Sequence, residues 1–274
     1  MLENKLQITK LRFELRFSAE SRFPSFVGNT IRGAFGRALS KQCCIWERLR
    51  CDDCANAADC AYGAVFKAQN GESVPNPYVI AAPYPSARSY SKGEALDFAI
   101  TLFGSACKFE NDVLCAAESM CTGSLRNASL ADARLVYARE WSDRGAEHIE
   151  PCGSLTVRFV APTEIRSRGE IVTDISFEQM TDSLFGRIAD IIDSYTEGEF
   201  VVPYRLLNRK PFVKSDSQLE IMRFSTNAQP IEGVIGTVRY SGEITCYLPY
   251  IDLGSQLHIG KKTTRGCGEY IFEI

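Results

Sequence analysis

The chain has 274 residues, 45% of them hydrophobic and 24% charged, and a formal net charge of −3 from 31 Lys and Arg against 34 Asp and Glu. That length accommodates two ordinary domains, and the composition is that of a soluble globular chain rather than a disordered or fibrous one. No apolar run approaches the roughly 20 residues of a membrane span, and the N-terminus lacks a signal-peptide apolar core, so the expected location is cytoplasmic, with no membrane partner. The overall charge weighs against a nucleic-acid binder, but its distribution does not. Residues 1–50 hold ten Lys and Arg against four Glu, and 205–214 and 261–265 are also basic, whereas acidic residues gather near 110–118, 142–150 and 170–199. Eleven cysteines without a secretory signal point to reduced thiols or a metal rather than to disulfides.

Residues 6–17 alternate apolar and polar, with a slip between Ile8 and Leu11, and read as a half-buried strand with a bulge. After a turn at 21–25, residues 28–39 place Ile31, Phe35, Ala38 and Leu39 on one helical face, with Asn29 or Thr30 as cap. Gly33 and Gly36 weaken that helix by about 1 kcal/mol each relative to Ala, which points to close packing or a close ligand. Cys51 and Cys54 then have knuckle spacing, with Cys60 and one of Cys43 or Cys44 in reach to complete four thiolates; Cys44 is taken as the fourth ligand. A site closed by four sulfurs is structural, and zinc is the expected ion.

Residues 70–93 read as an irregular crossing, 95–104 as a strand, Lys108–Met120 as a helix buried through Val113, Leu114, Ala117 and Met120, and Ala133–Glu140 as a strand. A β-α-β-β-α-β-like half results, and the composition breaks near 150, where His148 is a solvated linker residue. The second half offers a strand at 153–162, a turn and short strand to Val172, and a helix from Phe177 to Thr196 with Met180, Leu184, Ile188, Ile191 and Ile192 inward. Residues 203–228 read as a basic loop in which Tyr204 and Phe212 interleave Arg205, Arg209, Lys210, Lys214 and Arg223, as surfaces that stack bases do. Residues 231–249 read as a hairpin turning at Ser241-Gly242.

The most informative stretch is the last. Residues 254–270 crowd Gly254, Gly260, Gly266 and Gly268 together with His258, Lys261, Lys262, Thr263, Thr264 and Arg265, just before a closing strand from Tyr270 to Ile274. Glycines allow positive φ and close approach, successive backbone N–H groups make an anion-binding concavity, and three cations add charge. A basic β-hairpin tip explains the glycine spacing equally well. His258 adds a titratable imidazole.

This stretch resembles the C-terminal glycine-rich loop of the repeat-associated RNA-binding (RAMP) proteins of CRISPR systems, and in particular their precursor-RNA-processing endoribonucleases. The match lies at Gly260 through Gly268. A second point of resemblance is Phe26-x-Gly28 followed by Arg32-Gly33-Ala34-x-Gly36, and a third is the cysteine segment that runs on to Tyr62 and Phe66. The resemblance covers nearly the whole chain and implies an α+β fold of two tandem ferredoxin-like (RRM-like) domains. These are expected at 1–150, with a Cys-rich insertion at 43–66, and at 151–274, with the loop at 254–270. It also implies cleavage of CRISPR repeat RNA at a stem-loop without a catalytic metal, a 2′-hydroxyl attacking the adjacent phosphate to leave a 2′,3′-cyclic phosphate. The partners it implies are the crRNA, retained after the cut, and other subunits of a CRISPR ribonucleoprotein.

Relatives often supply a histidine from the first domain, and this chain has none before His148. The chemistry therefore falls either to His258 or to Arg22, Arg32, Arg37 and Arg265, as the resemblance to type IV variants implies; the arginine set is the preferred reading. Gly260, Lys261, Lys262, Thr264, Gly266, Gly268, Arg205, Arg209, Lys210 and Lys214 are the expected RNA contacts. The competing class is a non-cleaving crRNA-binding subunit of an effector complex.

Overall fold

In the computed structural model of the chain, the described residues are 4–24, 26–45, 50–67, 74–85, 89–123, 125, 127–143, 151–202, 212–225 and 230–274. In chain order, strand β1 (Lys5–Phe17) and the short β2 (Ser21–Arg22) precede helix α1 (Val27–Cys43). Tight turns at Cys51–Asp53 and Ala57–Asp59 and a π-helical turn at Tyr62–Phe66 follow. Then come β3 (Tyr78–Ala81), β4 (Ser89–Tyr90), β5 (Ala95–Phe103), α2 (Glu110–Gly123) and β6 (Ala128–Ser142). The second series is β7 (Ser154–Thr163), β8 (Arg166–Ser167), β9 (Glu170–Ile171), α3 (Phe177–Tyr195), β10 (Val213–Phe224), β11 (Ile231–Ser241), α4 (Leu248–Leu257) and β12 (Tyr270–Glu273).

The contacts divide the chain into two compact units. One holds 7–140 with 194–196, and the other holds 1–6, 141–193 and 197–274. Strand order is β3-β5-β1-β6 in the first and β10-β11-β7-β12 in the second. In both, the first strand of a β-α-β-β-α-β series lies between its third and fourth, with the second at the edge. That is the ferredoxin-like order, and the α+β expectation of two such folds holds.

In the N-terminal unit β1 and β5 pair antiparallel from Ile8↔Phe103 to Arg16↔Ala95 without a break. The expected bulge is absent from this run. The slip in the hydrophobic pattern is a change of face: Leu6 and Ile8 are buried on one side, and Leu11, Phe13, Leu15 and Phe17 on the other. The second set joins Ile31, Phe35 and Leu39 of α1 and Val113, Ala117 and Met120 of α2 in one core. Helix α1 starts at Val27, ahead of the expected Asn29 or Thr30, and no side chain caps it.

Gly36 has a packing role. A Cβ there would lie 2.2 Å from Cζ of Phe66, whose ring stacks on Tyr62 and Tyr78 and meets Phe35 edge-on. The segment that follows the cysteines is thus seated on α1 through one aromatic ring.

In the C-terminal unit α3 opens with a capping box: the Gln179 backbone N–H donates to Ser176 Oγ at 3.2 Å, and the Ser176 N–H to Gln179 Oε1 at 2.9 Å. Met180, Leu184, Ile188, Ile191 and Ile192 are buried as the periodicity requires. Two readings need correction. Residues 213–224 are a strand rather than a loop, and the second arm of the expected hairpin is a tight turn leading into α4. Pro249, in the first turn of α4, suits a helix start and not a ladder.

Gly36→Ala is expected to lower stability by about 1–3 kcal/mol through overpacking. Adding Phe66→Leu should restore part of that loss, measured as the denaturant midpoint of both proteins.

Candidate nucleic-acid interface: the glycine-rich loop

The loop proper is shorter than the sequence stretch that announced it. Residues 254–257 close α4, and Gly254 packs against Leu184 and the Tyr270 hydroxyl instead of lining a ligand site. The helix stops at His258, which takes φ +56°, and the buried Arg187 of α3 donates from Nε to the Leu257 carbonyl at 2.8 Å. A cation on the carbonyl end of a helix is favourable in both charge and hydrogen bonding.

From His258 to Glu269 the chain folds back on itself. The Ile259 N–H donates to Gly268 O, Lys261 N–H to Glu164 O and Gly268 N–H to Pro162 O, each at 3.0 Å. A one-turn helix at Thr263–Arg265 is flanked by left-handed residues, Lys262 at φ +61° and Gly266 at φ +92°. Two glycines are obligatory. A Cβ at Gly268 would lie 1.9 Å from Ile259 O, and one at Gly260 2.3 Å from Glu164 O, both at positive φ.

Glu164 is the residue the sequence reading missed. Its side chain is 4% exposed and accepts from Lys262 Nζ and, at 2.7 Å, from Arg166 Nε. Burial pushes its carboxyl up, but these two cations outweigh burial and hold it below the ordinary carboxylate range. A single acid beside a basic stretch carries no spacing signal, so only the fold could reveal it.

The expected site residues therefore divide. Lys262 is a strut of the loop through its pairing with Glu164. Thr263 is buried, and the Cys267 thiol is pushed by burial up to about 12. His258 is 2% exposed and shares a 3.1 Å hydrogen bond between Nδ1 and the Cys267 carbonyl. Lys261 is exposed, while Thr264 and Arg265 are half-buried at the turn.

In the N-terminal unit, Arg22 lies on the β2–β4 ribbon, mostly exposed, and pairs with Glu20 at 3.1 Å. Arg32 and Arg37 are five positions apart on α1, about 140° around the helix. Arg32 rests 4.7 Å over the Phe66 ring, and Arg37 folds back across Gly33, where a Cβ would meet its guanidinium at 3.4 Å. Lys214 lies on β10 in an ion pair with Asp174, and Arg223 on the same strand pairs with Glu232. Arg205, Arg209, Lys210 and His148 lie outside the described residues.

Cys44, Cys51, Cys54 and Cys60 line a single cavity of about 340 Å³, together with Cys43. Burial raises the Cys51 thiol, and neighbouring Cys44, Cys60 and Cys54 add to it. Among the described residues no group of three or more His, Cys, Asp or Glu is gathered to hold a metal ion, and none of the described helices is long and apolar enough to cross a membrane.

Two ferredoxin-like units with a stitched glycine-rich loop make the double ferredoxin-like fold of RAMP-type proteins. Residues 157–270 match the family model described as CRISPR-associated endoribonuclease Cas6, and residues 6–146 match the N-terminal domain model AF_1859_N. An uncharacterized protein of Archaeoglobus fulgidus is 25% identical over 284 residues, covering 96% of both chains. The Thermus thermophilus Cas6 (TTHB231) superposes with a TM-score of 0.63 at 14% identity, over 98% of this chain and 99% of that one, and is also known in a product complex. A partial Cas6-RT-Cas1–Cas2 complex contains a longer chain matched over 46% of its length, and over 98% of this chain, with a TM-score of 0.65 at 10% identity. At such identities the solved structures share the fold. The chain belongs to the family defined by the AF_1859_N domain, which spans half of it, and the Cas6 match over residues 157–270 together with the shared fold supports a CRISPR-associated, RAMP-type endoribonuclease that processes and binds CRISPR repeat RNA.

Glu164→Ala leaves Lys262 largely buried without its counter-charge and is expected to cost roughly 3 kcal/mol. Because the folded carboxyl titrates below its unfolded value, the clasp's contribution is present at neutral pH and lost as pH falls through the folded pKa. Unfolding curves from pH 7 down to the acid limb should show the Glu164→Gln chain lacking that component of acid sensitivity. Gly268→Ala should destabilise by at least about 1–3 kcal/mol, read from thermal melts.

Proposed function

We propose that this chain cuts CRISPR repeat RNA without a catalytic metal and that arginines, with the glycine-rich loop, carry the reaction. The observation that supports this most is the division within the loop. Its histidine is buried and bonded to a backbone carbonyl, while Lys261 is exposed and Thr264 and Arg265 are half-buried.

In the reaction proposed, the 2′-oxygen forms a bond to the adjacent phosphorus, the bond from phosphorus to the 5′-oxygen breaks, and a 2′,3′-cyclic phosphate remains. The hydroxyl proton passes to solvent, and the leaving 5′-oxygen takes one from water. Arginine stays protonated and is a poor base. Its contribution is to hold the hydroxyl in line with the scissile bond and to offset charge on the phosphorane. Arg265 of the loop and Arg22, Arg32 and Arg37 of the N-terminal unit are assigned that role. Lys261 and the backbone amides near Gly260 and Gly266 grip phosphate, and Arg205, Arg209, Lys210 and Lys214 extend the grip. The Asp174 partner of Lys214 would have to yield to RNA.

The product complex of the Thermus relative supports retention of the cut RNA. The Cas6-RT-Cas1–Cas2 assembly supports further CRISPR proteins as partners. The second reading, a crRNA-binding subunit that does not cut, is favoured by one observation: no histidine precedes His148, and His258 is buried.

A labelled repeat stem-loop incubated with the protein in EDTA separates these readings. A single cut ending in a 2′,3′-cyclic phosphate is expected, and Arg265→Ala should lose most of it. His258→Asn keeps a side-chain donor for the Cys267 carbonyl and tolerates positive φ, but cannot act as a base. It should cut normally; loss of cutting with binding intact would move the chemistry to His258. Binding without any cut would make the chain a holder of crRNA. Lys261→Ala should weaken RNA binding and lower the salt slope by about 1.

A further inference from the structure

The hairpin β8–β9 leaves the C-terminal sheet at the residue that clasps the glycine-rich loop. Thr163 still pairs with Val234 on β11, and Glu164 already binds Lys262. The Val172 N–H then closes the base of the hairpin on the Ile165 carbonyl at 2.9 Å, Arg166 lies opposite Ile171, and Ser167 lies opposite Glu170. Arg168 and Gly169 are left to make the turn, at φ +51° and +88°. Two central residues at positive φ give a type I′ turn, whose twist matches that of the arms.

One guanidinium braces this finger. Arg166 donates from Nε to Glu164 Oε1 and from Nη1 to the Gly169 carbonyl, both at 2.7 Å, and so spans from the clasp to the turn. Glu164 also accepts from Lys262 through its side chain and from the Lys261 N–H through its carbonyl. Hairpin and glycine-rich loop are therefore joined at one buried residue, and both belong to the C-terminal unit.

The residue at the tip is at odds with the turn it makes. A side chain at positive φ is costly except for Asn and Asp, and Asn-Gly is the pair that a type I′ turn prefers. Local folding favours Asn at 168, yet an arginine stands there, exposed. A backbone held outside its preferred region points toward function. Arg166 is committed inside the protein: Glu164 holds it, with Glu232 and Glu170 close enough to add to that hold. Among the described residues no ion pair engages Arg168. Residues 164–170 and 261–265 together carry five Lys and Arg against two Glu, on a chain whose net charge is −3. The local charge has the opposite sign to the total.

We propose that the β8–β9 hairpin is a second phosphate grip, in which Arg168 contacts a backbone phosphate of the repeat RNA other than the one held by the glycine-rich loop. The arms carry the tip roughly 13 Å from Glu164, which separates the two contacts along the RNA. A guanidinium suits the task because its planar fork matches two phosphate oxygens. The assignment rests on the reading of this chain as a binder of repeat RNA and does not depend on whether it cuts.

The test measures binding of the full chain to a labelled repeat stem-loop across a salt series, with a 2′-deoxy residue at any position where the all-ribose RNA is cut. Arg168→Asn removes the charge and supplies the preferred Asn-Gly pair, so thermal melts should place it no lower than wild type. It should weaken binding and lower the slope of log K against log salt by about 1. Lys92→Ala, at an exposed turn of the N-terminal unit, removes one positive charge elsewhere and should change neither. An unchanged slope in Arg168→Asn, with wild type binding the RNA, overturns the hairpin grip and leaves the RNA reading intact. An equal loss in Lys92→Ala also overturns it, because the effect is then one of net charge. Failure of wild type to bind the stem-loop overturns both. With all-ribose RNA at saturating protein, Arg168→Asn should cut as fast as wild type; a slower cut there moves Arg168 into the reaction and overturns its assignment as a grip.

Discussion

A buried carboxylate among cations holds the C-terminal loop in one shape. Glu164 binds Lys262 and Arg166 through its side chain and Lys261 through its carbonyl, and that carbonyl presses so close to Gly260 that no side chain fits between. Take the acid away and Lys262 is left at a left-handed position with its charge largely buried. The backbone pairing of Ile259 with Gly268 and of Gly268 with Pro162 depends on the same close approach. The loop is consequently set before any RNA arrives, so little ordering entropy is left to oppose binding.

The same clasp changes how the basic residues should be counted. A run of Lys261, Lys262 and Arg265 looks like three phosphate contacts, yet one of the three is consumed inside the protein. Lys214 and Arg223 on β10 are likewise matched to Asp174 and Glu232. On a chain of net charge −3, attraction to RNA must come from local arrangement rather than total charge. Lys261 at the loop and Arg37 on α1 are exposed, and Arg32 lies over the Phe66 ring.

The two units share one strand order but are specialised by what interrupts it. The C-terminal unit carries the loop between α4 and β12. The N-terminal unit carries the cysteine segment between α1 and β3, and Phe66 ties that segment to the helix bearing Arg32 and Arg37. Fold alone does not specify chemistry; the two units differ most in these two segments.

Periodicity alone found the helices that bury one face, because a 3.6-residue repeat is imposed by the core whatever surrounds it. Met180 through Ile192 and Val113 through Met120 sit as read, although the capping box at Ser176 and Gln179 went unread. Local pattern failed where the cause was not local. The slip between Ile8 and Leu11 marks a change of buried face, which looks the same in sequence as a bulge. The helix Leu248–Leu257 hid behind a hairpin signal because its apolar residues also suit a strand. Sequence named the glycines and cations of the loop, since residue type dictates what a tight basic turn needs. Only the tertiary structure decided that Lys262 faces Glu164, that His258 is buried, and that Gly36 makes room for Phe66, because each depends on a partner distant in the chain whose burial sets the energy.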